Sequence, residues 1–240
     1  MLIYGKNVAR ETLLNNKKIA KAYILEDFND KNIIFMLQKR NICIEYLTKK
    51  DFLKFEKENS QGIILDIPDY EYCEIDELLD KSNPFIVILD HLEDPHNFGA
   101  IIRTCEAAGV DGIIIPKDRS VSVNSTVMKT SAGALNNVKI SMVTNLNRTI
   151  DYLKEKGLWI VGTDMTDSIS YRDVDYNIPV ALIIGSEGFG ISRLVREKCD
   201  YVVNIPMKGK INSLNASVAA GILIYKIIEK RTSGNCQWVK

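Results

Sequence analysis

Several short, almost wholly apolar runs recur along the second half of this chain: FIVILD (85–90), GIIIP (112–116), LWIVGTD (158–164), VALIIG (180–185) and YVVNIP (201–206). A strand with one wet face alternates apolar and polar residues, so an uninterrupted apolar run predicts a strand covered on both faces. Helical segments separate the runs, at 97–109, near 125–132, at about 145–156 and at 191–198. A further strand is expected at NVKIS (137–141) and a long last helix over 215–231. This alternation predicts an α/β unit with a mainly parallel sheet. In such sheets ligands sit beyond the carboxyl ends of the strands, which places the chemistry just after residues 90, 164, 185 and 206.

The first part of the chain reads as a separate, smaller α/β unit. Helices at about 7–15, 30–39 and 49–58 alternate with strands at 21–25, 42–47 and 62–67. It has no histidine, no clustered carboxylates and no glycine-rich loop, so a substrate-handling module or a purely structural one fits it. Between the two units lies DIPDYEYCEIDELLDKS (66–82), with seven acidic residues and one basic, followed by the turn signal Ser82-Asn83-Pro84. It reads as a solvated connector with a short helix at EIDELLDK. The expected division is therefore 1–70, an acidic linker at 71–83, and 84–240.

With 46% apolar and 26% charged residues the composition is globular, and no apolar stretch approaches the roughly 18 residues of a membrane span. The first residues, MLIYGKNVARETLL, lack the layout of a secretory signal, so the chain is expected to stay where it is made, with no membrane partner. Cys43, Cys73, Cys105, Cys199 and Cys236 have no CxxC spacing and read as reduced cytosolic thiols. With only His91 and His96 beside them, no metal site is expected. The net charge is zero, but residues 1–65 carry 12 basic and 8 acidic side chains and residues 83–240 carry 18 and 16. The acidic linker masks a modest basic excess, and Lys17, Lys18, Lys21, Lys39 and Arg40 are candidates for phosphate contacts.

Three of the four expected ligand positions carry unusual sequence. In Asp94-Pro95-His96-Asn97-Phe98-Gly99, Asn97 reads as a helix N-cap, with Arg103 nearly two turns further on, on roughly the same side. Gly185-Ser186-Glu187-Gly188-Phe189-Gly190 joins a strand to a helix. Its G-x-x-G-x-G spacing is neither the dinucleotide fingerprint nor a P-loop. Glu187 would repel a pyrophosphate, so a cationic or zwitterionic ligand suits the loop. In Ile205–Ser217, Ser213, Asn215 and Ser217 put three short polar side chains at the start of the last helix, where capping needs only one.

Together, DPHNFGAIIRT, IIGSEGFGISRL and IPMKGKINSLNASVAAGI resemble, in order, the three motifs of the SpoU/TrmH (SPOUT) family of RNA ribose 2′-O-methyltransferases, over about residues 83–232. GKNVARETL, QGI and PKDRSVSVNSTVMKTSAGA resemble the branch that methylates guanosine in 23S rRNA, whose N-terminal domain is ribosomal-protein-like and binds the RNA substrate. The resemblance implies a deep trefoil knot in the C-terminal domain, S-adenosylmethionine as cofactor, and a cytoplasmic homodimer. It assigns Gly185, Ile205, Leu214, Thr163 and Met207 to the methyl-donor site, and Asn97, Arg103, Glu187, Ser213 and Asn215 to catalysis. His91 stands where that family commonly has glycine, Cys105 where alanine is usual, and Asn212 beside Ser213. None removes a functional group, and Asn212 and Lys208 bear on fine substrate choice.

A ribose hydroxyl is a poor nucleophile until its proton leaves. A guanidinium is always protonated and cannot readily accept that proton, so Arg103 is expected to neutralise a substrate phosphate or the developing alkoxide, with Ser213 and Asn215 orienting the ribose. Two alternatives stay open: a tRNA ribose methyltransferase of the same family, and an RNA-binding protein that has lost methyl transfer.

Overall fold

Two sheets frame the computed structural model, which describes residues 1–55, 60–186, 188–210 and 213–232. The first half folds as β1 (Leu2–Tyr4), α1 (Lys6–Leu14), β2 (Lys21–Leu25), α2 (Lys31–Lys39), β3 (Ile44–Leu47), α3 (Lys49–Phe52) and β4 (Ile63–Asp66). The four strands order as β1-β4-β2-β3, with β4 antiparallel to both its neighbours and β2 parallel to β3. Strand β1 escapes sequence reading because three residues carry no periodicity. Pairing with β4 alone makes it a strand. The helix expected over 49–58 stops at Phe52. Phe52 is buried, and Phe55 lies stacked on Tyr23 at 5.0 Å, anchoring the turn that follows. Residues 56–58 of that expectation lie outside the described residues.

The second half carries β5 (Phe85–Asp90), α4 (Pro95–Ala108), β6 (Gly112–Pro116), α5 (Ser125–Thr130), β7 (Ile140–Val143), α6 (Leu146–Glu155), β8 (Trp159–Thr163), β9 (Ile169–Ser170), β10 (Val180–Gly185), α7 (Arg193–Arg196), β11 (Tyr201–Asn204) and α8 (Ala216–Thr232). The strand order is β7-β6-β5-β10-β8-β11-β9, and every pairing is parallel. One face of the sheet packs Val87, Leu89, Leu182 and Ile184 against α4, α5 and α8, in a core continuous with that of the first unit. The other packs Ile86, Ile88, Ala181 and Ile183 against α6 and α7. Both faces are covered, which is why the strands are apolar throughout. Strand β7 lies a few residues later than expected, because pairing of Ile140–Val143 with Ile113–Pro116 sets its limits.

The acidic segment between the units is strapped down rather than solvated along its length. Cys73 N–H donates to Ile140 O, the Tyr70 hydroxyl to Val138 O, and Val123 N–H to the Tyr72 hydroxyl. Leu78, in a short 3-10 helix over Ile75–Leu78, is buried against Gly112, where an added Cβ would stand 2.4 Å from the leucine. Asp76 and Asp80 pair with Lys156 and Lys139, so part of the negative charge is spent inside the molecule.

Helix α8 is latched at its end. Arg231 donates to the carbonyls of Tyr176 (3.0 Å), Asn83 (3.1 Å), Pro84 (3.3 Å) and Ile178 (2.5 Å), just upstream of β5 and β10, with its guanidinium over Phe85. A lysine keeps the charge but cannot span four carbonyls. Arg231→Lys should lower the unfolding free energy by about 2–3 kcal/mol, read from urea denaturation with an unchanged m value.

Candidate active site

Helix α4 starts earlier than the sequence predicts. Asp94 is its N-cap, accepting from His96 N–H at 3.0 Å, with Pro95 at the first helical position. Asn97 therefore lies inside the first turn, buried, and its side chain is released from capping for other work. The Asn215 amide donates to Asn97 Oδ1 at 2.9 Å. The other end of that amide, Asn215 Oδ1, accepts from Ser217 N–H at 3.0 Å and Val218 N–H at 3.3 Å, closing the first turn of α8. One asparagine thus caps α8 and ties it to the start of α4.

Strand β10 runs level with β5, Gly185 opposite Asp90, and this is where the sheet changes direction. Strands β6 and β7 lie outward of β5, whereas β8 and β11 lie outward of β10. Such a switch point opens a crevice between the loops. Beyond Gly185 the chain folds straight back, with Ser186 and Gly190 exchanging both backbone hydrogen bonds (3.1 and 3.0 Å). A Cβ on Gly185 would stand 2.1 Å from the carbonyl carbon of Gly190, and Gly188 and Gly190 have φ of 88° and 66°. The glycines are required by backbone-on-backbone contact and by left-handed geometry. Phe189, at the tip, is 94% exposed.

Two cavities flank this loop. The first, of about 350 Å³, lies among the ends of β8, β10 and β11 and the start of α8. Its walls include Thr163, Gly185, Ile205, Met207, Ser213 and Leu214, bringing together all five residues assigned from the sequence to a donor site, plus Ser213. Its apolar walls (Ile184, Val203, Leu223) and the polar side chains of Asp164, Ser186 and Ser213 among them suit a flat heteroaromatic ring with a charged tail. The second, of about 550 Å³, lies over the switch point between Asp90–Asp94 and Ser186–Ser192, and Asn97 lines it. Ser186, Phe189 and Gly190 border both.

Arg103 is placed differently from expectation. It is exposed and lines neither cavity, whereas Asn97 is buried. Six residues advance a helix by about 600°, which leaves the two side chains about 120° apart. Glu187 and Asn212 lie outside the described residues. Arg40 is also corrected: its guanidinium donates to Leu13 O (3.2 Å) and Lys17 O (2.5 Å), holding the end of α1, and Lys21 is paired with Glu45 at 2.6 Å. Sequence reading missed Asp164, Met165 and Arg119 as lining residues. The positional rule pointed just past residue 164, but no recognisable motif marks that loop.

Among the described residues there is no group of three or more His, Cys, Asp or Glu side chains placed to hold a metal, and no helix long and apolar enough to cross a membrane.

A parallel sheet with cavities among its carboxyl-end loops, joined to a small mixed-sheet module, defines a two-module α/β protein. Residues 84–225 match the SpoU rRNA Methylase family, and residues 2–73 match the family described as RNA 2′-O ribose methyltransferase substrate binding. The chain is 44% identical over 237 residues to the TrmH family tRNA/rRNA methyltransferase YacO of Bacillus subtilis, covering 95% of each. Its structure is similar to the SpoU methyltransferase AviRb from Streptomyces viridochromogenes in complex with the cofactor AdoMet (TM-score 0.80, 24% identity, 98% of this chain and 91% of that one). It also resembles the A. aeolicus TrmH/SpoU tRNA modifying enzyme (TM-score 0.59, 33% identity, 66% of this chain and 81% of that one). The chain belongs to the SpoU/TrmH family of RNA methyltransferases.

The returning loop gives a direct test of the site's construction. Gly185→Ala forces two backbone segments apart and should cost about 1–3 kcal/mol of stability, measured by chemical denaturation. Gly109→Ala, with open space around it but φ of 70°, should cost about 1 kcal/mol, from backbone strain alone.

Proposed function

We propose that this protein transfers a methyl group from S-adenosylmethionine to a ribose 2′-hydroxyl of a guanosine in 23S rRNA. The observation that carries the reading is the convergence of all four carboxyl-end loops on two adjoining cavities, with Asn97 on the wall of the second hydrogen-bonded to Asn215 ahead of α8. S-adenosylmethionine, when bound, supplies an electrophilic methyl group on a positively charged sulfur. Ile205, Met207, Leu214, Gly185 and Thr163, on the walls of the first cavity, would hold it. Ser213, on the wall of the first cavity, and Asn97, on the wall of the second and bonded to Asn215, orient the ribose. Glu187 keeps the catalytic assignment that the family resemblance gives it.

Support for ribosomal rather than transfer RNA comes from the presence of a separate, modestly basic N-terminal module beside a domain that matches the SpoU rRNA Methylase family. Lys18 and Lys39 on the N-terminal module are exposed and available to phosphate. The tRNA modifying enzyme of A. aeolicus aligns with only two thirds of this chain. The site of action is the cytoplasm, during rRNA processing. The C-terminal domain carries the family's trefoil knot.

A homodimer belongs to the same reading. Helix α8 exposes Val218, Ile222 and Tyr225, an apolar stripe at i, i+4 and i+7, on the side away from its buried Ala220, Leu223, Ile224 and Ile227. A second copy covering this stripe would bury it. Arg103, exposed on α4, the helix packed against α8, then acts across the interface rather than inside its own chain's cavities.

The deciding experiment is a map of ribose 2′-O-methylation in 23S rRNA and tRNA from cells with and without the protein. Loss of one 23S mark is expected, and loss of a tRNA mark instead would overturn the substrate assignment. Arg103→Lys should keep RNA affinity within about twofold while turnover falls about 10²-fold or more. An equal loss in affinity and rate would mark the arginine as a phosphate anchor only.

A further inference from the structure

The second cavity meets the first along Ser186, Phe189 and Gly190. A nucleoside whose ribose lies at that border, with the methyl donor in the first cavity, has its base in the second. The carboxylates on the wall of the second cavity differ in what they have left to offer. Asp90 is 1% exposed; its Oδ2 accepts from Ser192 N–H at 2.6 Å, and its Oδ1 faces Nδ1 of His91, a residue with φ of 57°, at 2.5 Å. Asp94 Oδ1 caps α4. Glu93 is exposed, and among the described residues its side chain makes no hydrogen bond or ion pair. Arg119, from the loop after β6, brings a guanidinium to the same wall, also exposed and also without a side-chain partner among the described residues.

One joint holds Glu93 and Arg119 in the same neighbourhood. Leu92 O accepts from Val121 N–H at 2.8 Å and from the Ser120 hydroxyl at 3.3 Å. Glu93 follows Leu92 and Arg119 precedes Ser120, so the loops after β5 and β6 are tied at the residues adjoining the pair. Arg119 has φ of 50°, a left-handed backbone that residues other than glycine seldom adopt and that persists only where neighbouring structure enforces it. Three carboxylates repel phosphate, so this cavity suits an uncharged base rather than the RNA backbone. A carboxylate only accepts hydrogen bonds, and a guanidinium only donates them. Among the four RNA bases, guanine alone offers both two adjacent donors, N1–H and N2–H, and two adjacent acceptors, O6 and N7.

We propose that the second cavity receives the guanine of the target nucleoside, Glu93 accepting from N1–H and N2–H and Arg119 donating to O6 and N7, an inference that rests on the methyltransferase reading above. The ribose then lies beside Asn97, with its 2′-hydroxyl toward the first cavity. Phe189, 94% exposed at the border, presents an aromatic face on which the base stacks. A base in the cavity displaces water from both charged groups. One that lacks a matching pair of donors or acceptors leaves a charge without its hydrogen bonds, and a site built in this way rejects such an analogue strongly. Glu93 and Arg119 are thus specificity residues, and neither touches the reacting atoms.

The test pairs base analogues with side-chain truncations, on a transcript carrying the 23S site found by the methylation map. Inosine at the target lacks the N2 amino group, and 7-deazaguanosine lacks N7. With the parent protein each should lower kcat/KM about 10–100-fold. Glu93→Ala should lower kcat/KM on guanosine and erase the inosine penalty while keeping the 7-deaza penalty, and Arg119→Ala should do the reverse. Both side chains are exposed, so both variants should fold and bind S-adenosylmethionine within about twofold of the parent by calorimetry. Analogue penalties that persist in the variants, or a target nucleotide other than guanosine, would overturn the proposal. A readout independent of turnover is free nucleoside titrated by NMR into the protein saturated with S-adenosylhomocysteine. Guanosine should bind about tenfold tighter than inosine, and Glu93→Ala should remove the difference. Equal binding of the two by the parent would also overturn the proposal. A guanosine preference in a protein that methylates no RNA would instead leave the base pocket standing and sink the methyltransferase reading.

Discussion

Six residues of β10 pair with six of β5, from Val180 opposite Phe85 to Gly185 opposite Asp90, and the rest of the site follows from that register. A slip of one residue would turn every side chain of β10 to the other face, exchanging the set that meets α4 and α8 for the set that meets α6 and α7. It would also pull Gly185 out of level with Asp90. Because the two strands end together, their loops leave the sheet side by side, and the space between them becomes a shared cavity. The carboxylate of Asp90 reinforces this by accepting the N–H of Ser192 beyond the returning loop.

The molecule then closes from the far end. Helix α8 is fixed at its start by Asn215, bonded to Asn97, and at its end by Arg231, bonded to four carbonyls ahead of β5 and β10. Its two ends therefore report on opposite edges of the same pair of strands. The first cavity, whose walls include Leu214, Ala216, Ala219 and Leu223, depends on both anchors. The N-terminal module joins the same framework. Its core runs without a break into the α4/α5 side of the sheet, and the acidic segment is bonded along the β7 edge.

Much of this was legible in the chain. Runs such as FIVILD and VALIIG are apolar at every position because both faces of the sheet are covered, so β5, β6 and β10 could be bounded to the residue. The positional rule for parallel sheets pointed to four of the loops that line the two cavities. What stayed hidden has local causes. β1 is too short to show a period. The start of α4 turned on which of Asp94 and Asn97 caps it, and both are good caps. The acidic strap carries the charge of a linker, while the contacts of Tyr70, Tyr72 and Leu78 that hold it down are long-range. Arg40 looks like a phosphate ligand in sequence but folds back onto the carbonyls of Leu13 and Lys17.

The sequence by itself determined the longer strands, the glycine loop and the family, because periodicity, turn chemistry and motif spacing are properties of neighbouring residues. Only the tertiary structure decided which side chains meet. It placed Asn97 against Asn215 across more than a hundred residues, kept Arg103 out of both cavities, and set His91 against the buried Asp90 in a backbone conformation usually left to glycine. Those outcomes depend on strand order and helix phase, which are fixed when distant segments pack together and are written in no local pattern.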